Sequence, residues 1–165
     1  MLSKSKYSSS DIPVSFVEEA TAAYAYAEKP ILAVASKTPE NHLSSFEKMK
    51  VVRDGISKKD LESLKAKTDM DYTVLAKTLS VTRATLINKK KNEKFGPSLS
   101  EKILDIAGLY AYGFEVFENE MAFKKWMSTP NRALNGQPPI DWIDNQFGRD
   151  EIRNIIGRIN YGVHS

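Results

Sequence analysis

From residue 44 to the end of the chain, apolar side chains recur at three- and four-residue spacings, and most of these runs open on a residue that caps helices well. That period is the signature of amphipathic helices, and it predicts an all-α fold for this part of the chain. Phe46, Met49 and Val52, followed by Arg53, form one short run that Gly55 closes. Ser57, with Asp60 three residues on, opens a second run through Leu61 and Leu64. Asp71 opens a third with Val74, Leu75 and Leu79. After Ser80-Val81, Thr82 caps a fourth helix expected from Arg83 to about Lys91. Gly96-Pro97 interrupts the pattern, and Ser98 with Glu101 is expected to box the start of a long helix. That helix lines up Ile103, Ile106, Ala107, Tyr110, Phe114 and Phe117 on one face.

The residues ahead of this pattern read differently. Residues 1–12 are polar and Ser-rich, with the composition of a disordered segment. Residues 13–36 are Ala-rich and carry Phe16, Val17, Tyr24 and Tyr26, a period compatible with helix or short strand. Pro39 to His42 reads as a linker. The expected organisation is therefore an N-terminal extension over 1–43, partly disordered, a helical domain over 44–118, and a small helical region over 119–165.

Composition removes several function classes. The chain has 165 residues, enough for a substantial core, and no cysteine. Thiol nucleophiles, disulfides and thiolate metal sites are excluded. Two histidines, His42 and His164, leave neither a histidine-built metal site nor a His-centred triad in prospect. Phosphate-loop and dinucleotide fingerprints are missing, so no cofactor and no catalytic residue is expected, and the chain does not read as an enzyme. No apolar run nears the ~20 residues that span a bilayer, and Lys4 and Lys6 are not followed by an apolar stretch. A cytoplasmic protein without a membrane partner is expected.

Charge is concentrated rather than spread. The net charge is +3, but residues 57–98 hold ten basic and five acidic side chains, and much of the excess lies between Arg83 and Lys94. A clustered positive field points to a polyanion. The cluster falls on YTVLAKTLSVTRATLINKKK, residues 72–91, which has the pattern of a helix-turn-helix. Ala76 is the small residue where the second helix crosses the first, and Leu75, Leu79, Val81 and Leu86 pin the pair together. Thr82, Arg83, Thr85 and Asn88 then lie along the exposed face of the second helix, where Arg and Asn suit guanine and adenine edges. Lys89, Lys90, Lys91 and Lys94 supply phosphate contacts. Two positions depart from the usual pattern. Ser80 stands where the turn commonly has Gly, and Lys89 stands where an apolar anchor is usual. The alternative reading is a helical hairpin with a solvated basic face.

The C-terminal region carries the more specific signal. W-M-x-x-P-N-x-A-L-x-G-x-x-P-I-D-W-I-D runs from Trp126 to Asp144, and G-R-I-x-Y-G-V from Gly157 to Val163. In this region Leu134-Asn135-Gly136 is a tight turn, Pro138-Pro139 starts a short helix with Trp142 and Ile143, Gly148 breaks it, and Asp150 to Tyr161 form a last helix with Ile152, Ile155, Ile156 and Ile159 on one side. These strings resemble the toxin-binding domain of the Xre/MbcA/ParS antitoxins, partners of RES-domain and related ADP-ribosyltransferase-like toxins. The resemblance covers roughly residues 44–165. It extends to the Xre-like helix-turn-helix, where Thr85-Leu86 and Lys89-Lys90 match a Thr-Leu pair followed by basic residues, and where a Lys at position 89 is typical.

The resemblance implies an Xre-like helix-turn-helix domain followed by a small helical toxin-binding domain. It implies a type II antitoxin that binds operator DNA of its own operon, to autoregulate transcription, and blocks the active site of an NAD-consuming toxin from that operon. A homodimer is expected, since helix-turn-helix proteins commonly read two half-sites. The candidate toxin-binding residues are Trp142, Arg158, Tyr161, Gly162 and Val163. Trp142 suits a core position as well as a contact, and Arg158 could instead salt-bridge an acid on its own helix. A stand-alone helix-turn-helix regulator with a C-terminal protein-interaction or oligomerisation domain is the competing function.

Overall fold

The computed structural model describes residues 29–35 and 37–162. The expectations of a disordered N-terminus and of a Val163 contact fall outside them. Seven α-helices occur among the described residues: α1 (Ser45–Asp54), α2 (Lys58–Thr68), α3 (Tyr72–Leu79), α4 (Arg83–Ile87), α5 (Pro97–Phe117), α6 (Glu120–Met127) and α7 (Gln146–Asn160). Short 3-10 turns lie at Ala33–Ala35, Glu40–His42, Arg132–Leu134 and Pro139–Asp141. The described chain is helical with two isolated bridges, Ser57 to Lys94 and Asn131 to Gln137.

Local sequence sets most helix starts. Ser44 and Ser57 close full capping boxes with Glu47 and Asp60. Asp71, Thr82, Asn119 and Asn145 accept from backbone N–H groups at the starts of α3, α4, α6 and α7. Gly55 ends α1 at a φ of 79°, as a C-terminal glycine should.

The 21-residue α5 is the spine. Ile103, Leu104, Ile106, Ala107, Leu109, Tyr110 and Phe114 on it are buried, so it packs on both flanks rather than along one stripe. On one side it meets α1 to α4 through Ile56, Leu61, Leu64, Leu75, Leu79 and Leu86; on the other it meets α6 and α7 through Phe123, Met127, Ile152, Ile155 and Ile156. Tyr110, Phe114 and Phe117 surround Phe123 edge-on, and Trp126 stacks on that ring. Gly113 makes room for the same ring, because a Cβ there would lie 2.1 Å from Phe123.

Five expectations need correction. The helix at Arg83 does not run to Lys91; it ends at Ile87. The chain then returns along α2, whose first-turn N–H groups at Lys58 and Lys59 donate to the carbonyls of Glu93 and Lys91, while Phe95 donates to Ile56. This segment, bridged to Ser57 at Lys94, takes the place of further helix after Ile87. Second, α5 starts at Pro97 with Gly96 as its cap, not at a Ser98 box. Ser100 is the serine that matters: its hydroxyl donates to Phe95 and accepts from Ile56 N–H. Third, Gly148 lies inside α7, buried, with the Trp142 carbonyl where a Cβ would sit at 1.7 Å. It permits a close approach rather than breaking a helix. Fourth, Pro39 to His42 is no free linker: Glu40 is fully buried, and its carboxylate accepts from Leu32 N–H at 2.6 Å. Fifth, the apolar run read on α1 packs inward only in part: Val52 lies half-buried against the core, but Phe46 is 71% exposed and Met49 is exposed too, and Val51, outside the run, is the buried residue.

No described helix is long and apolar enough to cross a membrane.

Candidate functional sites

The helix-turn-helix is α3, the turn Ser80-Val81-Thr82, and α4. Ser80 adopts φ 56° and ψ 46°, the left-handed conformation that favours glycine at this position. The turn thus keeps its usual shape with serine in it. Ala76 is buried at the crossing, and Val81 N–H donates back to its carbonyl. Thr82 accepts from Thr85 N–H, and the two hydroxyls lie 2.9 Å apart.

One lysine fastens the unit. Lys58, at the start of α2, is buried and donates to Leu86 O at 2.7 Å, satisfying a carbonyl of α4's last turn. It also donates to the Tyr72 hydroxyl and pairs with Glu62 at 3.0 Å. Burial works against its charge, but the Tyr72 and Glu62 hydrogen bonds and the Glu62 charge raise its pKa above the ordinary value. Asp71 goes the other way: the Val74 N–H, with help from Thr73 and the Arg83 charge, holds its carboxyl below the usual range.

The basic residues divide into two groups. Arg83, Thr85, Asn88, Lys90 and Lys91 are exposed, and Arg83, Lys90 and Lys91 form no ion pair among the described residues. Lys89 and Lys94 are engaged with backbone. Lys89 donates to Lys94 O at 2.9 Å with its ammonium 5.8 Å from the Phe95 ring centre, and Lys94 donates to Asp54 O at 2.7 Å. Lys89 thus lays its stem toward Phe95 where an apolar anchor would be, and both side chains brace the return segment.

The C-terminal region uses its charges in pairs. Arg149 is buried, donates to Ile143 O at 3.0 Å and to Asp105 on α5. Arg153 reaches the same Asp105, and Asp150 at 3.1 Å. These bonds fasten α7 across α5. Arg158 meets Glu151 at 3.5 Å, with both side chains 42% exposed.

The candidate toxin contacts are not one patch. Trp142 is half-buried just ahead of α7, where its indole N–H donates to Gln137 Oε1 at 3.0 Å. Arg158, Tyr161 and Gly162 lie at the other end of the helix, about 20 Å away at 1.5 Å per residue. Tyr161 is 83% exposed, and Gly162 turns the chain off the helix at φ 69°. Beside them lies Tyr112, whose hydroxyl is raised in pKa by burial first and by Tyr161 and Glu115 next, and 3.5 Å from where a Cβ on Gly157 would stand. Sequence reasoning missed Phe147, 86% exposed at the start of α7. Its signal was an aromatic residue off the isoleucine face.

Residues 47–108 match the family described as the antitoxin Xre-like helix-turn-helix domain, and residues 113–162 match the antitoxin Xre/MbcA/ParS C-terminal toxin-binding domain. The two matches together take in more than half of the chain, and their boundary falls inside α5. The chain is 25% identical over 131 residues to a Prs ADP-ribosylating antitoxin of Sphingobium sp. (strain YBL2), covering 73% of this chain and 82% of that protein. It is 22% identical over 116 residues to an antitoxin Xre of Yersinia enterocolitica serotype O:8, covering 69% of this chain and 78% of that protein.

Proposed function

This chain belongs to the Xre/MbcA/ParS antitoxin family, and from that premise we propose that it neutralises an NAD-consuming toxin from its own operon and, as a homodimer, binds its operator DNA to limit its own transcription. The toxin would be of the RES type or a related ADP-ribosyltransferase-like enzyme; one relative carries ADP-ribosylation in its name. The antitoxin itself would catalyse nothing.

The observation that carries the neutralisation reading is the far end of α7. Three isoleucines dock the helix into the core, and Arg158, Tyr161 and Gly162 project where it stops. The Arg158–Glu151 pair is long and half-exposed, the kind of contact worth about 0–1 kcal/mol. Little therefore opposes transfer of that guanidinium to a carboxylate in the toxin's active site, where a desolvated charge-assisted bond is specific. Tyr161 and the chain beyond it would occupy space the dinucleotide needs. Trp142, a helix length away, is not part of this plug.

The operator reading rests on uncompensated charge. Arg83, Thr85 and Asn88 would read bases from the capped start of α4, and Lys90 and Lys91 would hold phosphates. Lys89 and Lys94 would contribute through the shape of the return segment.

Growth rescue of toxin-expressing cells tests the plug. Arg158→Ala and a chain ending at Asn160 should both lose neutralisation and keep operator binding. If both neutralise like the parent, inhibition lies elsewhere on the domain. For DNA, Lys90→Ala should flatten the slope of log affinity against log salt by about one. Retained operator binding without any neutralised partner would favour the stand-alone regulator.

A further inference from the structure

The helix-turn-helix unit leaves one large apolar side chain in solvent. Ile87, the last residue of α4, is 45% exposed, whereas its neighbour Leu86 is fully buried and carries the packing of that helix. Lys58 holds the Leu86 carbonyl at 2.7 Å, so the last turn of α4 is fixed by burial and by a hydrogen bond without help from Ile87. Among the described residues, Ile87 does not belong to the apolar cluster of the core.

Spacings of three and four residues bring side chains together on one side of a helix. Ile87 is four residues from Arg83 and three from Ala84, and Asn88 is four from Ala84; all four are exposed. The outer face of α4 is therefore a patch with two polar corners, Arg83 and Asn88, and an apolar diagonal, Ala84 and Ile87, between them. In the major groove, bases differ in their donors and acceptors, and thymine also carries a C5-methyl group that only an apolar side chain recognises. On the operator reading proposed above, on which this inference rests, Arg83 and Asn88 supply hydrogen bonds and leave such a methyl unread.

We propose that Ile87, with Ala84 beside it, reads the 5-methyl group of a thymine in the operator. Arg83 and Ile87 stand about 6 Å apart along the helix axis, at 1.5 Å per residue. Base pairs rise about 3.4 Å each, so this thymine lies within about two base pairs of the guanine that Arg83 takes. Ile87 is then a specificity-determining residue. It adds affinity where the methyl is present and little elsewhere, unlike Lys90 and Lys91, whose phosphate contacts are the same in every sequence.

The test uses the full chain and the duplexes that it selects from a random pool. An enriched site should hold a thymine at which deoxyuridine, which lacks only the methyl, weakens parent binding about fourfold, the worth of one buried methyl group. Ile87→Ala should lose affinity for the thymine duplex and should no longer tell thymine from uracil. Ile87→Val, which keeps a branched apolar side chain, should still tell them apart. Because Ile87 is exposed, the alanine variant should keep its circular dichroism, its denaturant midpoint and its toxin rescue. Its slope of log affinity against log salt should match the parent's, since no phosphate contact is lost. Equal binding of thymine and uracil duplexes at every position would overturn the proposal. So would full discrimination by Ile87→Ala, or a loss of affinity spread equally over selected and unselected duplexes, which marks a structural role. If the parent enriches no site, the operator reading fails and takes this inference with it. An enriched site without methyl sensitivity leaves that reading standing and removes Ile87 alone.

Discussion

The two halves that share α5 handle charge in opposite ways. In the helix-turn-helix half, Arg83, Lys90 and Lys91 face outward without an acidic partner among the described residues, while the cations nearer the core, Lys58, Lys89 and Lys94, are spent on backbone carbonyls. In the C-terminal half, Arg149 and Arg153 share Asp105, and Arg158 is the one loosely paired, with Glu151. A polyanion is attracted by charge left uncompensated, and its binding falls steeply with salt. A protein surface is recognised by shape and by a few placed contacts, and paired arginines hold that shape. On the proposed reading the first half attracts and the second fits, so damage to each should have a different signature.

The largest expected effect comes from Gly148→Ala. The new methyl would overlap the Trp142 carbonyl, which is backbone and cannot step aside as a side chain would. Either α7 or the preceding turn must move, at a cost of about 3 kcal/mol or more. Neutralisation should be lost and the thermal transition lowered. If the halves are separable, operator binding survives at reduced temperature. If operator binding falls as far as neutralisation, α5 transmits the damage and the halves act as one folding unit.

Lys58→Met is the counterpart in the other half. It leaves the Leu86 carbonyl without its donor and removes the link to Tyr72, costing about 1–3 kcal/mol. Operator affinity should drop while neutralisation holds. The pH dependence has a definite sign. The folded-state pKa of Lys58 is raised, so its contribution is complete below the unfolded value of about 10.4 and is lost as pH rises through the folded value. Denaturation of the parent should show that loss in alkali, and the Met variant should not.

Much of this comparison was legible in the sequence, and the part that was not has a common cause. Capping residues act on backbone three positions away, so Ser57, Asp71 and Thr82 marked their helices correctly. The exposure of Arg83 and Thr85 on α4 followed from the same period. The end of α4 did not, because it is decided by hydrogen bonds from Lys58 and Lys59 to a segment some 30 residues on. Gly148 looked like a breaker because its true neighbour, the Trp142 carbonyl, is set by the turn that folds back on α7. The bonds of Lys89 and Lys94 to backbone carbonyls were not legible either, because the return segment that makes them is not placed by helix period. The Arg158–Glu151 pair was visible as an alternative, since both sit on one helix.

Glu40 gives a smaller effect, on the turn that clasps α5. Burial, opposed by the N–H of Leu32, raises its pKa, and its Oε2 is buried without a partner. A carboxyl raised on folding contributes most below its unfolded pKa, and that contribution is lost as pH rises through the folded one. The parent should therefore lose stability from mildly acid toward neutral pH, and Glu40→Gln should flatten that part of the curve. Both halves should respond equally, because the turn packs on the helix they share. A change confined to operator binding or to neutralisation would mean that the turn serves one half only.

The smallest expected effect tests the turn in the helix-turn-helix half. Ser80 holds a left-handed backbone at φ 56° and is exposed, with its N–H donating to Lys77 O and its side chain in no hydrogen bond that a glycine would forfeit. A non-glycine residue is disfavoured there by about 1–2 kcal/mol. Glycine escapes that penalty but loses more freedom on folding, about 0.5–1 kcal/mol. The difference leaves Ser80→Gly more stable by about 0.5–1 kcal/mol. The turn sets the angle between α3 and α4, so the gain should appear in denaturant midpoint with operator affinity unchanged and neutralisation unchanged.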